Sequence, residues 1–358
     1  MKAKKHRPFF SIIIPCYNDG RYKEGAYLDR LLHSLTLQGV GKEDLEVILS
    51  DDHSPVKFDD LIEKYKDNFQ IKYILTDYNF APGNTREKGV SIATGEWIAF
   101  ADHDDAYLKD ALGMVKNGLI EKGEDLFAFT DFIGIYPDGT FKKKYECTLN
   151  WCHGKFYNLD NFWKKYNLHF IKDLESHEDI AICTQVSCTL AALGKKSATY
   201  FDFPSYAWTD NPQSVSHAKY TVNGEADPRY FLEVFFRDYL EATGYIYISR
   251  FKTHEIKMDF AVRNCIEVLL YCYFYTQGFQ FRRPDDYLKE NMQHSADYMK
   301  EIKKLFNINA DQIYGAISAN NASMYLRIRK YADGGSGPYV PIQTVRQWLQ
   351  LLEEEYNA

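Results

Sequence analysis

The sequence predicts an α/β fold followed by a mainly helical C-terminal region. Three observations carry that expectation. The first hundred residues alternate short β-rich runs with helix-like periodicity. The β-rich runs close on polar or acidic residues, and beyond about Asp227 the apolar pattern turns helical and aromatic.

Taken in order, "FSIIIPCY" (10–17) and "LEVILSDD" (45–52) read as strands. Between them "AYLDRLLHSLTLQ" sets Leu28, Leu31, Leu32 and Leu35 at helical spacing. "QIKYILT" (70–76) and "EWIAFAD" (96–102) are the next strands, separated by the helix-like "NTREKGVSIAT". "AYLKDALGMVKNGL" (106–119) reads as a helix that Asp105 would cap. "DLFAFTDFIGIYPDGTFKKKY" reads as two strands joined around the turn "PDGT". "SHEDIAICTQVSCTLAAL" is a helix opened by acidic residues, and "SATYFDFPSYAW" returns to strand. Helices follow in "RYFLEVFFRDYLEATG", "DFAVRNCIEVLLYCYFYTQ", "ADYMKEIKKLF" and "TVRQWLQLLEEEY", with "ADGGSGPYVP" (332–341) a flexible connection. The expected division is a domain over 1–225 and a helical region over 226–358 that serves acceptor, oligomer or membrane-surface contact; ordinary helical core accounts for most of its aromatics.

Composition narrows the function classes. A formal net charge of -7 argues against a general nucleic-acid binder, leaving "FRR" (281–283) and "RIRK" (327–330) as the only basic hints. No run reaches the roughly 20 apolar residues that span a bilayer, so a soluble or peripheral chain is expected. Seven cysteines without C-x-x-C spacing read as reduced, buried residues, Cys183 and Cys188 included. A cytoplasmic protein is expected, at most at the inner face of a membrane.

In an α/β sheet, ligands bind at the carboxyl ends of the strands. That rule brings Asn18, Asp51, Asp52 and Asp102 to Asp105 to one edge. "FADHDDAY" (100–107) packs three carboxylates into four positions, and three readings compete: a solvated turn, a helix start, or ligands for a divalent cation. Polar clusters at the ends of three strands favour a site. Strand-like alternation would put Asp102 and Asp104 on one side and His103 on the other.

"SIIIPCYN", "LDRLLHSLTLQ", "EVILSDDHS", "APGNTREKGVSIATGEWIAFADHDD" and "HEDI", in this order and spacing, resemble the family 2 glycosyltransferases of GT-A fold, over about residues 8–217. The resemblance implies a Rossmann-like, mixed but mostly parallel sheet flanked by helices. It also implies a nucleotide-sugar donor, most simply a UDP-sugar, a saccharide or lipid-linked saccharide acceptor, and Mn²⁺ or Mg²⁺. Pro15, Tyr17 and Asn18 would then lie at the nucleobase and ribose, beside Asp51 and Asp52, with Asp52 on the imide N–H of uracil. Arg86 would meet the diphosphate or a pyrimidine carbonyl, or else pair with Asp102 or Asp104. Asp104 would touch the metal, and Asp102 the ribose or a metal-bound water. Asp179, with Glu178 beside it, would be the base that takes the acceptor proton; read alone, the pair is an acidic first helical turn.

Two departures matter. Relatives often carry R-x-H near the end of this region, where Thr209 and Asn211 stand here, with His217 six residues on. The Q-x-x-R-W element of processive members is absent, which implies addition of a single sugar. The readings are thus an inverting, metal-dependent, non-processive transferase of bacterial surface polysaccharide or glycoconjugate synthesis, a catalytically silent nucleotide-sugar binder, or a sugar transferase acting on phage DNA.

Overall fold

The computed structural model describes residues 6–18, 24–77, 81–123, 126–146, 150–193, 198–212, 221–222, 225–226, 236–276, 285–319 and 342–358. Cys147, His217, the segments 281–283 and 327–330 and the connection 332–341 lie outside them. Contacts divide the chain into two units, one of residues 1–174 and 178–214, the other of 175–177 and 215–358.

The first unit is built on a nine-stranded sheet. β1 (Phe10–Cys16), β2 (Leu45–Asp51), β3 (Gln70–Leu75) and β4 (Trp97–Phe100) form its parallel half, in the order β3-β2-β1-β4. β8 (Lys155–Asn158) runs antiparallel between β4 and β6 (Phe127–Ile135), β9 (Ala198–Thr209) runs parallel to β6, and the hairpin strand β7 (Phe141–Tyr145) pairs with β6. Side chains alternate across the sheet. Ile12, Ile14, Val47 and Leu49 pack on one face with Leu28, Leu31 and Leu32 of α1 (Glu24–Leu35) and with α4 (Ala111–Lys122). Ile13, Ile48, Ile98 and Phe100 pack on the other with α3 (Pro82–Ile92) and α5 (Glu178–Leu193). β2 is buried along its whole length, as a central parallel strand must be. α3 lies close on the sheet because residue 89 is glycine; a Cβ there would come within 2.6 Å of Ile13 Cγ2.

Register sets the strand ends level. Cys16 pairs with Asp51, Asp52 N–H donates to Cys16 O at 2.9 Å, and Ala101 N–H to Ile13 O at 3.1 Å. The polar residues after β1, β2 and β4 therefore share one edge, as the strand pattern predicts.

The structure corrects one element. Ala106–Tyr107 is not the start of a helix but a short strand, β5, antiparallel to β9 through Tyr107↔Tyr206. α4 begins at Ala111, with Asp110 at its N-cap at φ 60, so Asp105 caps nothing. Among the elements that escaped the sequence reading are α2 (Asp59–Tyr65), strand β8 and the one-turn π-helix at Leu159–Lys164.

The second unit is helical over α6 (Phe236–Ala242), α7 (Gly244–Lys252), α8 (Met258–Thr276), α9 (Asp285–Phe306), α10 (Ala310–Ala319) and α11 (Ile342–Tyr356). Leu240, Ile248, Leu269, Ile302 and Leu352 are among its buried residues, and Trp348 Nε1 donates to Met292 Sδ at 3.2 Å. No described helix is long and apolar enough to cross a membrane. The six described cysteines are buried, and no disulfide joins them.

Candidate functional site

The chain after β2 turns back at His53, whose φ of 62 allows Ser54 N–H to reach Asp51 Oδ1 at 2.8 Å. Asp51 is fully buried and also accepts the Tyr73 hydroxyl, so both of its carboxylate oxygens are engaged by the protein. Burial first, and then Asp51, raise the Tyr73 phenol above its usual range. Ser54 Oγ accepts from Asn18 N–H at 2.8 Å, locking the end of β1 to the β2 turn. Asp52, next along, takes the Thr76 hydroxyl at 3.3 Å. Pro15 and Tyr17 are half-buried beside them.

The centre of the edge is Arg86. The sequence "APGNTREK" starts α3 with Pro82 in its first turn, which suits proline's missing N–H. Arg86, in its second turn, is 4% exposed. Its Nη2 donates to Asp102 Oδ1 at 2.6 Å, its Nη1 to Glu178 Oε1 at 2.8 Å, and Nη1 stands 3.8 Å from Asp179 Oδ1. Phe170 lies against the guanidinium, 5.8 Å from ring centroid to Cζ. Gly83 lets the start of α3 approach the start of α5, since a Cβ there would fall 3.1 Å from Glu178 Cβ. Of the partners open to Arg86 on sequence, the structure adopts Asp102 and adds Glu178 and Asp179, 92 and 93 residues away in sequence.

This pairing sets the charges. Burial works against the Asp102 carboxylate, but Arg86 more than offsets it and holds Asp102 below the usual range. For Glu178, burial and then Asp179 win over Arg86, and its carboxyl is raised. Asp179 Oδ1 and Arg86 Nε are buried without a hydrogen-bond partner. Such atoms are rare in a well-packed interior and mark where a ligand or water belongs.

The acidic stretch is a turn rather than an extended strand: Asp105 N–H donates to Asp102 O at 3.0 Å. Asp104 Oδ2 accepts from Asn211 Nδ2 at 3.0 Å, and Arg30 Nη2 holds Asp104 O at 2.5 Å and Thr209 Oγ1 at 2.7 Å. Asp105, 1% exposed, accepts from Tyr206 Oη at 2.8 Å and from Thr209 N–H at 2.7 Å. Burial, then Asp104 and Asp102, push its carboxyl well above the carboxylate range. Arg30 and Tyr206 carried no signal on sequence; their partners are 74 to 179 residues distant.

Among the described residues no three His, Cys, Asp or Glu side chains converge to enclose a metal. Asp104 and Asp102 each spend one oxygen on a protein donor. What they offer is an open, oxygen-only pair, which fits a hard cation that keeps waters and takes ligand phosphates, as Mg²⁺ does. The structure thus brings Asp102, Arg86, Glu178 and Asp179 into direct contact, and sets Asp104 on the same turn. Pro15, Tyr17, Asn18, Asp51 and Asp52 form a neighbouring group on the same edge.

The sequence profile of glycosyl transferase family 2 matches residues 11–184. The chain is 36% identical over 101 residues to validoxylamine A glucosyltransferase of Streptomyces hygroscopicus subsp. jinggangensis, a match covering 28% of this chain and 23% of that one. It is 34% identical over 104 residues to the poly(ribitol-phosphate) beta-N-acetylglucosaminyltransferase TarS of Staphylococcus aureus, covering 29% and 17%. These matches span less than a quarter of the relatives' own length. The crystal structure of S. aureus TarS 1–349 in complex with UDP-GlcNAc superposes with a TM-score of 0.62 at 19% identity, covering 96% of this chain and 91% of that one. At that identity the likeness shows the fold, which is the GT-A arrangement expected from the motifs. The ordered motifs and the shared edge thus agree with the profile of glycosyl transferase family 2, which matches residues 11–184 of this chain.

Proposed function

We propose that the chain is an inverting glycosyltransferase that moves one sugar from a UDP-sugar to a hydroxyl of a saccharide or lipid-linked acceptor, assisted by Mn²⁺ or Mg²⁺. The observation that carries this reading is Arg86, which joins the acidic turn after β4 to the two carboxylates that open α5. A transferase needs those two groups on either side of one anomeric carbon. TarS crystallised with UDP-GlcNAc supports the donor class, and relatives named as polymer or lipid-linked saccharide transferases support the acceptor class.

Asp52 would accept the imide N–H of uracil, and Pro15, Tyr17 and Asn18 would line the nucleoside beside it. Asp104, with Asp102, would hold the cation, which supplies positive charge against the diphosphate. Asp179 would take the acceptor proton as the new C–O bond forms and the bond to the diphosphate oxygen breaks, its electron pair leaving with UDP. Arg86 fixes Asp102 and Glu178 so that the donor-side and acceptor-side carboxylates keep their spacing.

The test is release of UDP from UDP-glucose or UDP-GlcNAc with Mn²⁺ and in chelator. Chelator is expected to abolish release and Asp104→Asn to cut it at least about tenfold, with the melting temperature kept. Full activity of either would remove the cation from the reaction. UDP binding without release from any donor would favour a silent binder. Asp52→Ala should weaken UDP by about tenfold, a charge-assisted hydrogen bond's worth, and should leave inorganic diphosphate binding unchanged. Equal UDP affinity in wild type and variant would move the base pocket elsewhere.

A further inference from the structure

Three carboxylates within four residues repel one another, and something other than a ligand must shape their turn in the empty protein. Tyr206 is placed to do so. It is fully buried on β9, and its hydroxyl accepts the Asp102 N–H at 2.9 Å while donating to Asp105 Oδ2 at 2.8 Å. One oxygen thus ties the first and last residues of the turn. Its ring has no room to move: His153 stacks on it at 5.1 Å and 7°, and Tyr107 meets it edge-on at 5.2 Å and 89°. His153 is itself stacked on Trp151 at 5.9 Å and 12° and edge-on to Phe132 at 4.6 Å. Three residues further along β9, Thr209 N–H occupies the other Asp105 oxygen, so that both are spent inside the protein. Asp105 is therefore set to brace the turn and not to bind.

We propose that Tyr206 is a positioning residue, which through Asp105 and the Asp102 backbone fixes where the Asp102 and Asp104 carboxylates stand toward a donor-bound cation. This rests on the cation reading above. Neither residue touches the donor, and their effect passes through the geometry of the turn. Tyr206→Phe keeps the ring and its stacking but leaves the Asp102 N–H and one Asp105 oxygen without a partner, so the turn is free to relax.

Calorimetric UDP binding to the full chain, with Mn²⁺ and in chelator, tests this alongside a melting curve. The gain in UDP affinity conferred by Mn²⁺ should shrink by about tenfold in Tyr206→Phe, while affinity in chelator stays at the wild-type value. A gain equal to wild type would overturn the proposal. So would an equal loss with and without Mn²⁺, which marks general damage. Should the phenylalanine variant fail to fold, Asp105→Asn carries the test; it keeps one acceptor oxygen and should lose about threefold of the same gain, and a wild-type gain there would overturn the proposal. If wild type shows no Mn²⁺ gain, the cation reading fails on the unmutated protein and this inference falls with it.

Discussion

Asp179→Asn is expected to lose transfer to acceptor by at least about a hundredfold while binding UDP as wild type does. Loss of a positioned general base costs roughly 10² to 10⁴ in rate, whereas loss of a helix-capping carboxylate costs only about 1 kcal/mol of stability. The two roles of an acidic residue at the start of α5 therefore separate cleanly. The structure favours the first. Asp179 Oδ1 is buried with no hydrogen-bond partner, and Arg86 spends its two short bonds on Asp102 and Glu178 instead. Glu178→Gln should be milder for transfer, because Glu178 is bound to Arg86, and an amide oxygen can still accept that bond. Single-turnover transfer with saturating donor, with a melting curve for each variant, decides the matter. An Asp179 variant that melts early yet transfers normally when folded would assign the carboxylate to the helix end.

Much of this was legible in the sequence, and the physical reason is local. The strands β1 to β4 announce themselves by apolar runs that stop at polar residues, and a parallel sheet with level register then brings those stops to one edge. Asp51, Asp52 and Asp102 to Asp105 could be placed there on that basis alone, whereas Arg86, inside α3, was named from the motif that carries the resemblance. What could not be read was the pairing. That Arg86 binds Glu178 depends on α3 and α5 packing across 92 residues, helped by the missing side chain of Gly83. Asp105 was misread for the same reason. An Asp ahead of "AYLKDAL" has the local look of a helix cap, but Tyr107 pairs with Tyr206 in the sheet, and that distant contact outweighs the local propensity. Asp51 and Asp52 look alike on sequence, yet Tyr73 and the Ser54 N–H turn Asp51 into the interior.

Arg86→Met should be the most destabilising single change at this edge, and its cost should depend on pH. The guanidinium is buried among Asp102, Glu178 and Asp179, and its removal leaves their charges without compensation. Breaking a buried pair by deleting one partner costs about 3–5 kcal/mol, a large part of the 5–15 kcal/mol that typically holds a domain folded. The sign of the pH dependence follows from Glu178. Burial and Asp179 raise its folded-state value above the ordinary 4.5, and Arg86 is what pulls it back. A carboxyl raised on folding favours the folded state while it is protonated, and that advantage is lost as pH climbs from about the ordinary value through the raised one. Without Arg86 the raised value climbs further and the window widens upward. The variant should therefore be less stable than wild type at pH 8 by several kcal/mol, and the gap should narrow steadily toward pH 5. Urea unfolding of both proteins across that range measures it. A gap that stays constant with pH would mean that Arg86 acts by packing against Phe170 and not by balancing the carboxylates, and the charge bridge between the two halves of the site would have to be abandoned.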